Sequence, residues 1–74
     1  MNNTPNATAG ANVRAELARR AISQASLGEA LGLSQASVSL RLNGKVAFSI
    51  DELARAAGLF GVSLETLVAG VAVG

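Results

Sequence analysis

One stretch, Gln24–Gly44, constrains the fold of this chain most strongly, because its apolar residues follow a helical period that is broken once in the middle. Two pairs of apolar residues stand four positions apart, the spacing of one helical face: Leu27 with Leu31, and Val38 with Leu42. Between the pairs, Gly32 is free to adopt the positive φ that ends a helix, and Ser34 is a favourable N-cap for the next helix. The stretch therefore predicts two short helices that share one apolar face.

Gly28 indicates how closely the two helices approach each other. It lies on the inner side of the first helix, where a missing side chain lets the second helix come near, although Gly costs about 1 kcal/mol of helix propensity relative to Ala. Two helices joined by a short turn that contains a Gly form the helix-turn-helix motif. We therefore interpret this stretch as a helix-turn-helix.

Several short motifs around this stretch resemble, in their order and spacing, the lambda-repressor-like, or XRE, family of DNA-binding domains found in phage repressors, Cro proteins, bacterial regulators and antitoxins. The resemblance covers roughly residues 12–68. Its motifs are Ser23-Gln24, Leu27-Gly28, Leu31 to Gln35, Val38-Ser39, Asn43-Gly44 and Leu59 to Leu67. No single motif is specific, but their order and spacing together are. The resemblance implies an all-α, compact five-helix domain with a central helix-turn-helix.

The composition fits one small helical domain and excludes most chemistry. Half of the 74 residues are apolar, and 15 of those are Ala while only two are aromatic, which favours helices packed closely through small side chains. The chain has no Cys and no His, so it offers no disulfide, no thiolate metal ligand and no imidazole for acid–base work. We expect no enzyme activity, no cofactor and no small-molecule ligand. No apolar run reaches the roughly 20 residues of a membrane span, and no signal peptide is evident, so we expect a cytoplasmic protein.

The net charge of +1 is low for a protein that binds nucleic acid, but the charge is unevenly distributed. Residues 13–45 carry five basic and two acidic side chains, a net charge of +3. Residues 46–74 carry one basic and three acidic side chains, a net charge of −2. This asymmetry along the chain is what one basic face would require.

The first helix is predicted to begin after Asn12 and to run to about Ala21. Its apolar stripe would be Val13, Leu17 and Ala21. Residues 1–11 have no apolar period and no Lys or Arg, so we predict a disordered N-terminal arm there. Residues 12–70 would form the DNA-binding domain, and residues 71–74 a flexible tail.

Two further helices are predicted towards the C-terminus. Ser49 and Glu52 match a capping box, and Phe48 with Leu53 a hydrophobic staple, so a fourth helix would start at Ile50. Its expected inner face, up to a stop at Gly61, is Ile50, Leu53, Ala54, Ala57 and Phe60. A fifth helix would follow the cap Ser63 and end at Gly70, burying Leu64, Leu67 and Val68.

The third helix, from Gln35 to about Asn43, carries the residues expected to contact DNA bases. An amide such as that of Gln35 can pair with adenine through two hydrogen bonds, Ser can donate or accept, and Ala or Leu can touch a thymine methyl. The predicted base contacts are Gln35, Ala36, Ser39 and Leu40. The plain alternative is that these small residues line a solvated helix.

Phosphate contacts are predicted at the ends of the two motif helices. Gln24 would stand first in the second helix, behind the cap Ser23, where free N–H groups suit an anion. In the family, the residue matching Gln24 contacts a phosphate and steadies the first Gln of the recognition helix, here Gln35. The predicted phosphate contacts are Gln24, Ser37, Asn43 and Lys45.

Arg41 departs from the family pattern, which usually has an apolar residue beside Leu42. Its stem can cover the apolar face while its guanidinium pairs with Asp51 or Glu52, or the guanidinium can reach a phosphate instead. We favour the intramolecular pair.

The function implied by the resemblance is a sequence-specific, double-stranded-DNA-binding transcription regulator of the phage Cro or repressor type or the bacterial XRE type. An antitoxin-type regulator is one alternative. A protein-interaction module that keeps the fold without binding DNA is the other, and the low net charge favours it. A palindromic site would suit a homodimer, but the sequence does not decide between monomer and dimer. A dimer interface could be formed by exposed Leu40, Leu59 or Val71–Val73.

Overall fold

A computed structural model describes residues 4–71, and this part of the chain contains five helices and no strand. The helices are α1 (Pro5–Arg20), α2 (Gln24–Leu31), α3 (Gln35–Leu42), α4 (Ile50–Phe60) and α5 (Leu64–Leu67). The Cα radius of gyration is 11.1 Å, matching the value of about 11 Å expected for a compact chain of this length. The predicted all-α, five-helix architecture is confirmed. None of these helices has the length and apolar character to cross a membrane.

Each helix begins at a hydroxyl side chain that accepts a hydrogen bond from the backbone N–H three residues later. The caps are Thr4, Ser23, Ser34, Ser49 and Ser63. At α4 the capping box is complete, because the Glu52 carboxylate also accepts from the Ser49 amide at 2.9 Å. The four predicted Ser caps are therefore confirmed, since each rests on local chemistry alone.

The start of α1 differs from the prediction. Thr4 caps the helix, Pro5 takes its first position, and helix continues through residues 5–11. The predicted start at Asn12 is wrong, and the disordered arm is wrong for the described part of residues 1–11. Residues 1–3 lie outside the described residues. At its other end α1 stops at Ala21, an exposed residue with a left-handed φ of 53°, so Ala21 is not part of the buried stripe.

Small residues explain why the first part of this longer helix, residues 5–11, has no apolar period. A Cβ on Gly10 would lie 2.5 Å from the Leu42 carbonyl oxygen and 2.7 Å from that of Arg41, so α1 crosses the end of α3 at backbone distance. One turn earlier, Ala7 packs against Gly44 in the loop after α3. These contacts need a missing side chain rather than a large apolar one. The first half of α1 therefore packs on the end of α3 and on the loop that follows it.

α1 also donates side-chain hydrogen bonds to the ends of three other helices. The Arg14 guanidinium donates to the Leu42 carbonyl oxygen of α3 at 2.6 Å. The Arg20 Nε donates to the Phe60 carbonyl oxygen of α4 at 2.8 Å. The Asn12 Nδ2 donates to the carbonyl oxygen of Leu67 in α5 at 3.0 Å, and to that of Ala69 just after it at 2.8 Å. These bonds satisfy carbonyl groups that a helix end leaves without intrahelical partners.

The core draws on all five helices. Its buried members are Val13, Leu17, Leu27, Leu31, Val38, Leu42, Leu53, Ala56, Ala57, Phe60 and Leu67. On α4 the predicted inner face is partly wrong, because Ile50 is 67% exposed and Ala54 is exposed, whereas Ala56 is fully buried. At 100° per residue the buried face is turned by roughly 45°. It turns towards the side on which Glu52 pairs with Arg41 of α3.

α5 is a single turn and shorter than predicted. Leu67 is fully buried, while Leu64 and Val68 are half-buried. The helix is capped at Val68, and Gly70, with a φ of 78°, follows in the turn beyond it. The structure describes the chain as far as Val71, so the rest of the predicted tail over residues 71–74 lies outside the described residues.

We predict that Gly10→Ala and Gly58→Ala change stability in opposite directions. Both glycines are helical, but a Cβ on Gly58 meets no atom within 4 Å. Gly58→Ala should raise the free energy of unfolding by about 0.4–1 kcal/mol through helix propensity. Gly10→Ala should lower it by about 1–3 kcal/mol, because the helices must separate. Urea unfolding of both variants measures this, and a stabilising Gly10→Ala would refute the close approach of α1 and α3.

Candidate nucleic-acid interface

The turn between α2 and α3 has the geometry that its sequence predicts. Gly32 adopts a left-handed φ of 70°, and the next residue, Leu33, donates its N–H to the Gly28 carbonyl oxygen at 2.8 Å. A Cβ on Gly28 would lie 2.7 Å from the Leu33 carbonyl oxygen and 3.5 Å from Val38 Cγ2. The missing side chain therefore makes room first for the turn and then for α3. α3 begins directly after the cap Ser34.

α3 separates into a buried and an exposed side. Val38 is fully buried and Leu42 is 2% exposed, and both belong to the core. The four residues predicted to contact bases lie outside this buried side. Gln35 and Ala36 are exposed, Ser39 is half-buried, and Leu40 is 42% exposed. Leu40 is a large apolar side chain whose exposure the core does not explain.

The predicted phosphate residues lie in different settings. Gln24 is the first residue of α2, and Lys45 lies in the loop after α3; both are exposed. Ser37 is half-buried in the first turn of α3, where its hydroxyl accepts a hydrogen bond from Ser34 Oγ at 3.1 Å. Asn43 caps the end of α3. Within residues 4–71 no hydrogen bond joins the side chains of Gln24 and Gln35, so the steadying contact that the family implies is not present in this structure.

Asn43 and Ser39 belong to a set of contacts that the sequence did not indicate. Arg14 of α1 donates through one NH2 group to the Leu42 carbonyl oxygen at 2.6 Å and to Asn43 Oδ1 at 3.0 Å. Asn43 Nδ2 in turn donates to Ser39 Oγ at 3.4 Å. Arg14 lies 28 residues before Leu42 and outside the apolar stripe of α1. No local pattern could therefore have pointed to its position.

Arg41 forms the predicted intramolecular pair, and its partner is Glu52. Arg41 Nε lies 3.0 Å from Glu52 Oε1, and both side chains are largely buried. A second guanidinium nitrogen, NH1, donates to the Ser37 carbonyl oxygen at 3.1 Å. The guanidinium is thus held between α3 and α4, where it replaces the apolar contact usual in the family.

The ion pairs make the basic face smaller than the sequence suggested. Arg19 and Arg20 both pair with the buried Glu16 carboxylate, and Arg20 also lies over the Phe60 ring. Arg41 is neutralised by Glu52. The basic side chains that have no acidic partner in the described part of the chain are Arg14, Lys45 and Arg55. A charge count along the chain therefore overestimates the positive field available to a polyanion.

The comparisons with known proteins support one family. The model of a helix-turn-helix family matches residues 13–67, more than half of the chain. The matched segment holds all of α2 to α5 and the part of α1 from Val13 onward. No curated protein and no solved structure is similar enough to count as a match. Residues 4–71 form no pocket and no group of metal-ligating side chains.

We predict that Glu52 makes the stability of the domain depend on pH. Burial raises the pKa of its carboxyl. The hydrogen bond from the Ser49 amide and the contacts with Arg41 lower this pKa by more than burial raises it, so the pKa lies below the ordinary value of 4.5. A carboxyl whose pKa is lowered by folding stabilises the folded state at pH values above its pKa in the unfolded chain. This contribution is lost as the pH falls through the pKa in the folded state. As the pH falls below about 4.5, the free energy of unfolding should therefore decrease less for Glu52→Gln than for the unsubstituted chain.

Urea unfolding from about pH 6 down to about pH 3 measures this difference. Glu65→Gln is the matched control, because Glu65 is also an acidic first-turn residue but is exposed and has no ion pair within residues 4–71. Equal pH dependence of Glu52→Gln and the unsubstituted chain would contradict the assignment.

Proposed function

Because the chain belongs to the lambda-repressor-like, or XRE, helix-turn-helix family of DNA-binding regulatory domains, we propose that it regulates transcription by binding a specific double-stranded DNA site. α3 is the recognition helix and enters the major groove with its N-terminal end. The closest functional type is a Cro-like or repressor-like regulator of phage or bacterial origin, acting in the bacterial cytoplasm. The domain needs no cofactor and no catalysis for this role.

The observation that carries the proposal is the division of α3 into two sides. Val38 and Leu42 are removed from solvent, so the helix is fixed to the domain without using its other residues. Gln35 and Ala36 stay exposed in the first turn, where a groove-bound helix meets base edges. Gln35 suits adenine through two hydrogen bonds, and Ser39 suits several base edges. Ala36 and the exposed Leu40 suit a thymine methyl.

Phosphate contacts flank this surface in the proposal. The Ser26 amide donates to the Ser23 side chain and the Leu27 amide to the Ser23 carbonyl oxygen, whereas the backbone N–H groups of Gln24 and Ala25, in the first turn of α2, have no intrahelical partner. These amides and the Gln24 side chain suit one phosphate at the start of α2. Lys45, Asn43 and Ser37 are the other proposed phosphate ligands.

A second candidate is a protein-interaction module that does not bind DNA. The pairing of Arg19, Arg20 and Arg41 with carboxylates favours it, because little positive charge remains for phosphates. An antitoxin-type regulator would combine both activities, and a homodimer could use the exposed apolar residues Leu40, Val46, Ile50 and Leu59. Retarded mobility of random duplex DNA at low salt separates the DNA-binding hypotheses from the pure interaction module.

We predict that Gln35→Ala lowers specificity without harming the fold. If its amide pairs with one adenine, the variant should bind the best site with about 1–3 kcal/mol less binding free energy. Its preference for adenine at that base pair should also become weaker. Affinity for scrambled duplex should stay nearly the same. Binding curves on a duplex selected from a random pool and on its scrambled version test this, alongside thermal melts. An early melt, or unchanged affinity for the selected site, would show that the proposed contact is misplaced.

Val38→Ala is expected to have the opposite pattern. The substitution opens a cavity in the apolar contact between α2 and α3, so it should lower the free energy of unfolding by about 1 kcal/mol or more. Binding to every duplex should change by the same factor, because only the fraction of folded protein can change, and that factor stays near one if the domain remains mostly folded. A loss confined to the selected site would contradict a purely structural role for Val38.

Lys45→Ala should weaken binding to all duplexes similarly and lower the salt slope by about one unit, since each phosphate contact releases roughly one counterion. Arg55→Ala is the matched control: it removes one exposed, carboxylate-free cation from α4, outside the proposed surface. Affinities measured at several salt concentrations give both slopes. Equal slopes for the two variants would mean that net charge, rather than a contact at Lys45, determines binding.

A further inference from the structure

The backbone at the end of α3 has no N–H group to offer a phosphate. Residues 43–46 each donate their backbone N–H group to a carbonyl oxygen of α3, over 2.9 to 3.3 Å. The start of α2 differs, because the N–H groups of Gln24 and Ala25 have no intrahelical partner there. A phosphate beside the end of α3 must therefore be bound by side chains.

A helix C-terminus is by itself an unfavourable place for an anion, since its last carbonyl groups carry partial negative charge. At α3 this charge is opposed by a cation from α1. Arg14 Nη2 lies 2.6 Å from the Leu42 carbonyl oxygen and 3.0 Å from Asn43 Oδ1. Both acceptors are uncharged groups, so the guanidinium keeps its full positive charge at the end of α3.

The Arg14 guanidinium has more donors than these two bonds use. It carries five N–H donors, of which the two on Nη2 bind Leu42 and Asn43. Within residues 4–71 nothing accepts from its Nε or its Nη1, and no carboxylate pairs with it. Three donors are thus left on an exposed side chain that is already held in place, which reduces the entropy lost when it binds a ligand.

The position of this guanidinium relative to α3 suits the DNA backbone. Asn43 links it to the exposed side of the helix, because Asn43 Nδ2 lies 3.4 Å from Ser39 Oγ. The major groove is about 12 Å wide, and the eight residues of α3, at about 1.5 Å each, span about the same length. A helix with its first turn in the groove therefore brings its last turn to the phosphates at the edge of the groove.

We infer that Arg14 binds a phosphate of the DNA strand that passes the end of α3. This inference rests on the proposed function. It adds a ligand from α1 to the predicted phosphate contacts, which lie on α2, on α3 and in the loop after α3. The contact is independent of base sequence, because it involves only the backbone of the duplex.

Arg14→Gln tests the inference, since it removes the charge but keeps an amide that can donate to the Leu42 carbonyl oxygen. The variant should bind every duplex about tenfold more weakly at low salt. It should also lower the slope of log affinity against log salt concentration by about one unit. Arg14→Lys keeps the charge and should keep the slope. Arg55→Gln is the matched control, because it removes one exposed, carboxylate-free cation from α4 and should leave the slope nearly unchanged.

Neutral methylphosphonate groups, placed at one phosphate at a time in a selected duplex, identify the phosphate that Arg14 contacts. For the unsubstituted chain, one such replacement should weaken binding about tenfold and should have little effect once Arg14→Gln is present. Replacements elsewhere should weaken both proteins equally. A purely structural Arg14 would change the folded fraction, which weakens binding to all duplexes alike and is coupled to no single phosphate.

The inference is overturned if Arg14→Gln keeps the salt slope of the unsubstituted chain, or if its loss of affinity is coupled to no single phosphate. If Arg14→Gln melts below the assay temperature, the Nε–H resonances of the ¹⁵N-labelled unsubstituted chain decide. Added duplex should shift the resonance of Arg14 and not that of Arg55, and an unchanged Arg14 resonance overturns the inference. The proposed function fails as well only if the unsubstituted chain binds every duplex equally or binds none.

Discussion

The arrangement of this domain depends on hydrogen bonds that α1 donates to the ends of other helices. Arg14, Arg20 and Asn12 satisfy C-terminal carbonyl oxygens of α3, α4 and α5. Helix ends leave such carbonyls without intrahelical partners, and a cation near them also interacts favourably with the helix dipole. The core consists mostly of leucine and valine side chains, whose apolar contacts give little directional information about how helices meet. The polar ends supply it, and the close approach at Gly10 fixes the distance between α1 and α3.

This use of arginine bears directly on DNA binding. Arg19, Arg20 and Arg41 are paired with carboxylates, and Arg14 holds the end of α3, so most cations stabilise the fold. Affinity for DNA then depends on few phosphate ligands, chiefly Lys45, Arg14 and the backbone amides at the start of α2 in our proposal. In our proposal, selectivity therefore comes from the side chains on the exposed side of α3 more than from the electrostatic field, since phosphate contacts carry no sequence information.

Local chemistry explains what the sequence predicts correctly. Ser34 and Ser49 each cap a helix by contacts within three residues, and Gly32 needs only its own φ. The first half of α1 was missed because Gly10 and Ala7 pack by being small, which produces no apolar period. Within the candidate site, the exposed side of α3 follows from its period. The orientation of Asn43 does not, because it depends on an arginine from a helix far away in the sequence.

The central claim, that the exposed side of α3 and the start of α2 meet duplex DNA, is tested most directly by backbone amide shifts in a ¹⁵N-labelled sample titrated with duplex at low salt. The account predicts the largest shift changes at Gln24, Gln35, Ala36 and Lys45, with little change at the exposed residues Leu59 and Glu65. Changes concentrated on α4 and α5, with α3 unaffected, would contradict it.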